Sequence, residues 1–173
     1  MNSFVYKRIS KEDDMQVRDL IKRVYKYIEN KDFFILWTEE QMDRFFDENY
    51  SILFGAYDAN KLIAMVQIFM PPEVESEYYD ILDIKKPDSM CELGGFLVYE
   101  EYRQKGIMSE LSKAAMDYFS TLNYEYIIST IHPNNIASRK VVSKLGFEYI
   151  KDLTTQSGFL RSLYFKENQK TSV

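Results

Sequence analysis

Apolar residues along the chain switch between strand-like and helix-like spacing, and the switches give an order of elements. Residues 4–9 mix aromatic and β-branched side chains as a strand does. Ser10, followed by Glu12 and Asp13, supplies a helix cap with acids in the first turn. Met15, Val17, Leu20, Ile21, Val24, Tyr25 and Ile28 then recur at helical spacing, which predicts a helix burying one face and ending near Asn30. A second, shorter helix is predicted to start at Thr38. Apolar runs at 52–57 and 62–70 flank Asp58, Ala59, Asn60 and Lys61, a composition suited to a tight turn, so the two runs are expected to pair as an antiparallel hairpin.

Periodicity is lost over residues 71–90, where six acids (Glu73, Glu75, Glu77, Asp80, Asp83, Asp88) face two lysines (Lys85, Lys86), a net of −4. A loop of this length is either functional or a solvated connection. A strand resumes at 92–98 and runs through a polar loop into Ile107, Leu111, Ala114, Ala115, Tyr118, Phe119 and Leu122, an amphipathic helical pattern. A strand at 126–131, a helix at 135–145 terminated by Gly146, and strands at 147–153 and 159–165 complete the reading. The expected fold is α/β of the α+β type, a mixed and mostly antiparallel sheet of about seven strands flanked by about four helices. Residues 1–166 form one domain, with a frayed tail at 167–173.

Composition narrows the function. The chain has 173 residues, 46% of them hydrophobic and 28% charged, enough to bury a single core. Its 22 basic against 27 acidic residues give a net charge of −5, which offers no positive field for nucleic acid or anionic lipid. One cysteine, Cys91, and one histidine, His132, exclude an internal disulfide and a zinc cluster, so no metal is expected. The first residues lack the apolar core of a signal peptide, and no run is long enough to span a membrane, which points to the cytoplasm. Whether two copies pair as a homodimer stays open.

A strand feeding a short loop that opens a helix presents unpaired N–H groups and the positive end of the helix dipole, a place suited to phosphate. Gly106 lets the backbone approach an anion, and Arg103 and Lys105 add charge. At these residues the sequence resembles the GNAT superfamily of acyl-CoA-dependent N-acetyltransferases. Val98-Tyr99-Glu100-Glu101-Tyr102-Arg103-Gln104-Lys105-Gly106-Ile107-Met108 is similar to the family's coenzyme A loop, with Arg103 and Gly106 matching and Met108 standing where Gly or Ala is usual. Asn135-Ile136-Ala137-Ser138 and Lys144-Leu145-Gly146-Phe147 resemble the second coenzyme-side helix and its ending.

The resemblance implies acetyl-CoA as co-substrate. It implies that Leu97 and Val98 pair with the pantetheine arm, that the amides of Gln104, Lys105, Gly106, Ile107 and Met108 take the pyrophosphate, and that Asn135 and Ser138 lie along the coenzyme. It also implies Val98 N–H as the oxyanion donor. The tyrosine that usually protonates the leaving thiolate falls at Val142, which leaves water or one of the 14 tyrosines to do so. An amine with pKa about 10.4 needs a base. Glu92, six residues before Val98, matches the glutamate of histone-acetylating members. In an unbroken strand Glu92, Gly94, Phe96 and Val98 share one face; a bulge at Gly94-Gly95 would instead shift the phase and send Glu92 to solvent or to a structural hydrogen bond. His132 reads as a turn or packing residue and Cys91 as a buried thiol on the opposite face. The acidic 71–90 segment favours a small cationic amine as acceptor. A protein N-terminus or lysine, and a non-catalytic acyl-CoA sensor, are the alternatives.

Overall fold

The hairpin at the centre of the molecule is apolar on both faces. Strands β2 (Ser51–Asp58) and β3 (Lys61–Phe69) are buried along nearly their whole length, as strands covered on both sides must be. The computed structural model describes residues 4–169. Around this pair stand β1 (Val5–Arg8), β4 (Met90–Val98), β5 (Tyr126–Ile131), β6 (Glu148–Thr154) and β7 (Leu160–Glu167), in the sheet order β1-β2-β3-β4-β5-β7-β6. Among the described residues only β4 and β5 pair in parallel. The helices are α1 (Asp14–Tyr27), α2 (Glu39–Asp43), α3 (Ser76–Ile81), α4 (Ile107–Phe119) and α5 (Ile136–Lys144).

Local chemistry sets these boundaries. At α2, Thr38 accepts from Gln41 N while Gln41 Oε1 accepts from Thr38 N, a complete capping box. Val17, Leu20, Ile21 and Val24 of α1 and Ile107, Leu111, Ala115 and Phe119 of α4 enter the main core. A smaller core of Val74, Tyr78, Met90, Ile128 and Leu163 lies under α3.

Two expectations change. The 71–90 segment is not a structureless loop: it opens with a 3-10 turn (Pro71–Glu73) and folds into α3, making five α-helices among the described residues rather than about four. Six residues are too few to show helical periodicity. The tail also begins later than expected. β7 extends to Glu167, and Asn168 donates through N to Glu125 O at 2.8 Å and through Nδ2 to Tyr124 O at 2.9 Å, satisfying carbonyls beyond the end of α4. Residues 170–173 of that tail lie outside the described residues.

Strand β4 contains a bulge that decides the site. Gln67 pairs with Gly94 and Met65 with Leu97, so β4 uses one more residue than β3 between these pairs. Directly paired residues share a sheet face. Glu92, Gly94 and Leu97 therefore lie with Phe69, Gln67 and Met65, whereas Leu93 and Val98 lie with Ile68 and Ala64 on the other face. The expectation that Glu92 and Val98 share a face is thus corrected: the extra residue flips the phase between them. Gly95, at φ +64°, absorbs the bend, and a Cβ there would sit 3.0 Å from Trp37 Cη2. A Cβ on Gly94 would meet Phe69 Cε2 at 3.4 Å, with no unusual φ.

Gly95→Ala is expected to lower unfolding stability by about 2 kcal/mol, since left-handed backbone costs a side chain roughly 1–2 kcal/mol and Trp37 must also give way. Gly94→Ala should lose clearly less. Equal losses in urea unfolding of the two variants would show that the bulge is not what demands glycine.

Candidate active site

The loop after β4 leaves a row of backbone donors without partners. A 3-10 turn (Glu100–Tyr102) follows Tyr99, and then Gln104 and Gly106 take left-handed φ values of 61° and 75° before α4 begins. Alternating conformations of this kind turn successive N–H groups to one side as an anion-binding nest. Among the described residues no hydrogen bond uses the N–H of Gln104, Lys105, Gly106, Ile107 or Met108, while Ser109 and Glu110 already donate to Gly106 O. A left-handed glutamine costs roughly 1–2 kcal/mol and marks a functional constraint. Arg103, Gln104, Lys105 and Gly106 are exposed, and a Cβ on Gly106 would meet nothing within 4 Å, so an anion has room to approach. Ile107 is buried and Met108 packs against the core, so the atypical Met108 side chain leaves the nest clear. These donors fit a pyrophosphate.

Next to the nest the sheet opens. Strands β4 and β5 pair only through Met90–Tyr126, Cys91–Ile127 and Glu92–Ile128, and beyond Glu92 they separate. Tyr99 N donates to Ile63 O at 3.0 Å, which makes Ala64 and Val98 a pair that exchanges no hydrogen bonds. The Val98 N–H and C=O therefore point away from β3 into the gap, an open edge that an extended amide-bearing arm can join. The Leu97 side chain is buried. Across the gap, Asn135 caps α5 by accepting from Ser138 N at 3.3 Å, so these two expected residues are neighbours at one helix start. The Asn135 side-chain NH₂ remains as a donor.

Glu92 sits on the strand just where the sheet begins to part, and it is half-buried. Burial raises its carboxyl to about 7, the Glu75 charge adds to this, and a 2.6 Å hydrogen bond from Thr130 Oγ1 and the Arg161 charge oppose it. A carboxyl with that pKa can hold or release a proton at neutral pH. The bulge does not send Glu92 to solvent, because it lies C-terminal to the carboxylate and reverses the phase only beyond it. The bond to Thr130 orients the group. Tyr78, 3% exposed, lies against the Thr130 hydroxyl, and its own ionisation is pushed up by burial and by Glu92. Trp37 covers Gly95 and meets Phe34 and Phe45 edge-on, at 4.8 and 5.0 Å between ring centroids.

Two residues converge here that the sequence reading did not single out, Thr130 and Arg161, together with Tyr78 and with Glu75 of the acidic segment. Arg161 had a legible signal, a charged residue alternating with Leu163 and Phe165 along a strand whose Arg161 and Leu163 are buried. Val142, at the position of the usual tyrosine, is fully buried in the core and offers no acid. His132 accepts from Asn134 N at Nδ1 and packs 5.2 Å from Phe33, a turn residue. Cys91 is fully buried on the face opposite Glu92, and burial raises its thiol well above the usual range. Among the described residues no group of three or more His, Cys, Asp or Glu could hold a metal, and no helix is long and apolar enough to cross a membrane.

Comparison with known proteins gives the same picture. A 76-residue stretch, 43% of the chain, is 32% identical to the uncharacterised N-acetyltransferase YnaD of Bacillus subtilis (strain 168) and spans 41% of that protein's length. Among solved structures, the acetyltransferase of the GNAT family from Streptococcus pneumoniae matches with a TM-score of 0.73 at 18% identity, over 95% of this chain and 99% of that one. Arabidopsis thaliana NAA60 in complex with acetyl-CoA matches with a TM-score of 0.74 at 17% identity, over 95% and 98%. At such identities these two structures speak to fold alone. The family profile described as Acetyltransferase (GNAT) family matches residues 22–147, a span that holds the nest, the open strand edge, Glu92 and Asn135. The chain therefore belongs to the GNAT acetyltransferase family.

Proposed function

We propose that this chain transfers the acetyl group of acetyl-CoA to the primary amine of a small molecule, by direct attack with both substrates bound, in the cytoplasm. The observation that carries this reading is Glu92, a carboxyl with pKa about 7 held by Thr130 at the mouth of the gap between β4 and β5. Acetyl-CoA supplies an activated thioester. The amides of Gln104, Lys105, Gly106, Ile107 and Met108 hold its pyrophosphate with Arg103 alongside, Leu97 and Val98 offer the strand edge to its pantetheine arm, and Asn135 and Ser138 flank it from α5. Glu92 takes the proton that leaves the acceptor ammonium. Val98 N–H donates to the oxygen that gains charge, where a preorganised donor counts most. With Val142 in the core, the leaving thiolate is protonated by water, which a thiol of pKa about 8.5 tolerates.

The acidity of residues 71–90 favoured a cationic acceptor, yet much of it is already engaged. Glu73 pairs with Arg44, Asp83 with Lys85, and Glu77 accepts from Gln156 N on the β6–β7 turn. The acceptor is therefore read from the few groups that face Glu92. One alternative, an acyl-CoA sensor without catalysis, draws on the loss of the tyrosine at Val142. Thiol release from acetyl-CoA across a panel of amines decides between them: acceptor-dependent release supports transfer, and tight coenzyme binding with no release at any pH supports the sensor.

Glu92→Gln should cut kcat/KM most at neutral pH and least at alkaline pH, and should abolish the rising limb centred near pH 7. Equal activity across the pH range removes Glu92 from the mechanism. The same group ties stability to pH. Its folded pKa of about 7 lies above the ordinary 4.5, so its contribution is fully favourable below pH 4.5 and is lost as pH rises through 7. Glu92→Gln should accordingly be more stable than wild type by up to ~3 kcal/mol at pH 8 and no different at pH 4. Gly106→Ala should raise the KM for acetyl-CoA about 10-fold or more, since left-handed backbone costs alanine roughly 1–2 kcal/mol, with the acceptor KM unchanged. A change confined to the acceptor KM would separate the loop from the coenzyme.

A further inference from the structure

Arg161 is the one buried arginine among the described residues, at 5% exposure, and no carboxylate is in direct contact with it. Its Nη1 donates to Leu160 O at 2.7 Å, and its guanidinium lies 5.3 Å over the Phe159 ring. Among the described residues no ion pair includes it. Burying a charge without a partner is costly, and a guanidinium has five donors to satisfy. Here one is used.

The strand register shows which way it faces. Thr130 pairs with Leu163, and Arg161 alternates with Leu163, so Arg161 shares a sheet face with Thr130 and hence with the Glu92 carboxylate that Thr130 holds. Tyr78, Asp32 and Glu92 all feel its charge, which places it near α3, the 3-10 turn at Lys31–Phe33 and the start of β4. Burial depresses its pKa, yet a guanidinium stays protonated. Ser157 Oγ hydrogen-bonds Glu75 and Gln156 N hydrogen-bonds Glu77, so the turn after β6 is tied to α3 around the same space.

Resting on the acetyl-transfer reading above, we infer that Arg161 receives a carboxylate of the acceptor, so that the acceptor is a small amino acid whose amine lies toward Glu92. A planar guanidinium with an unused donor edge suits a carboxylate, which it can take through two parallel bonds. A phosphate monoester is less suited, because its charge of about −1.5 to −2 would add to Glu75, Glu92 and Asp32 around a single cation. A polyamine would place a cation against the guanidinium.

The test compares the common amino acids, each with its carboxamide, in steady-state acetyl transfer by wild type, Arg161→Gln and Arg161→Lys. The carboxamide has the more easily deprotonated amine, so intrinsic chemistry favours it, and a preference for the acid must come from the protein. Wild type is expected to use at least one amino acid about 10- to 100-fold better than its amide, the range for a bond to a charged group. Arg161→Gln should erase that preference by raising the KM of the acid while the KM values of the amide and of acetyl-CoA stay put, and Arg161→Lys should restore part of it. Equal use of acid and amide, preference for amines without a carboxylate, or an equal fall for both members of a pair in the variants would overturn the inference while leaving acetyl transfer standing. Absence of transfer to every amine would overturn both.

Discussion

The parallel contact between β4 and β5 lasts for three residue pairs, and the functional architecture depends on its ending there. A parallel pair normally continues until a strand ends. Here β4 turns away with β3, helped by an extra residue at Gly95, while β5 stays with β7 as far as Ile131. The parting strips Val98 of a partner and opens the sheet between two helix starts, those of α4 and α5. Donors that a closed sheet would have consumed are thereby available to a ligand, and the scaffold around them stays rigid because β2, β3 and α4 bury the main core on either side.

The same parting explains the chemistry of Glu92. Its neighbours on the strand, Cys91 and Leu93, are both fully buried on the opposite face. At the point of separation Glu92 is desolvated enough to reach a pKa of about 7 while Thr130 holds it in place. The bulge beyond it reverses the phase of the strand between the carboxylate and Val98.

The sheet was legible because its strands carry period-2 or continuous apolar patterns, and all seven lie within a few residues of their expected places. The candidate phosphate loop at 103–108 and the strand that carries Glu92 were legible because each is a short run of adjacent residues. Helix α3 was not, since its stability comes from Tyr78 entering the second core and from the Glu75 and Glu77 contacts, none of which a six-residue window reveals. Thr130 and Arg161 come to Glu92 from strands 38 and 69 residues away, through a register that pairing alone sets. The phase of Val98 turned on whether Gly94-Gly95 bulged, and both outcomes were compatible with the same two glycines.

Amide hydrogen exchange with and without coenzyme A tests the opened sheet most directly. The account predicts that, before coenzyme is added, the amides of Val98 and of Gln104, Lys105, Gly106, Ile107 and Met108 exchange far faster than those of β2 and β3, and that coenzyme A protects these six and few others. Protection appearing instead along the groove between the later turns of α4 and α5, or amides at these six positions that are already protected without coenzyme, would contradict it.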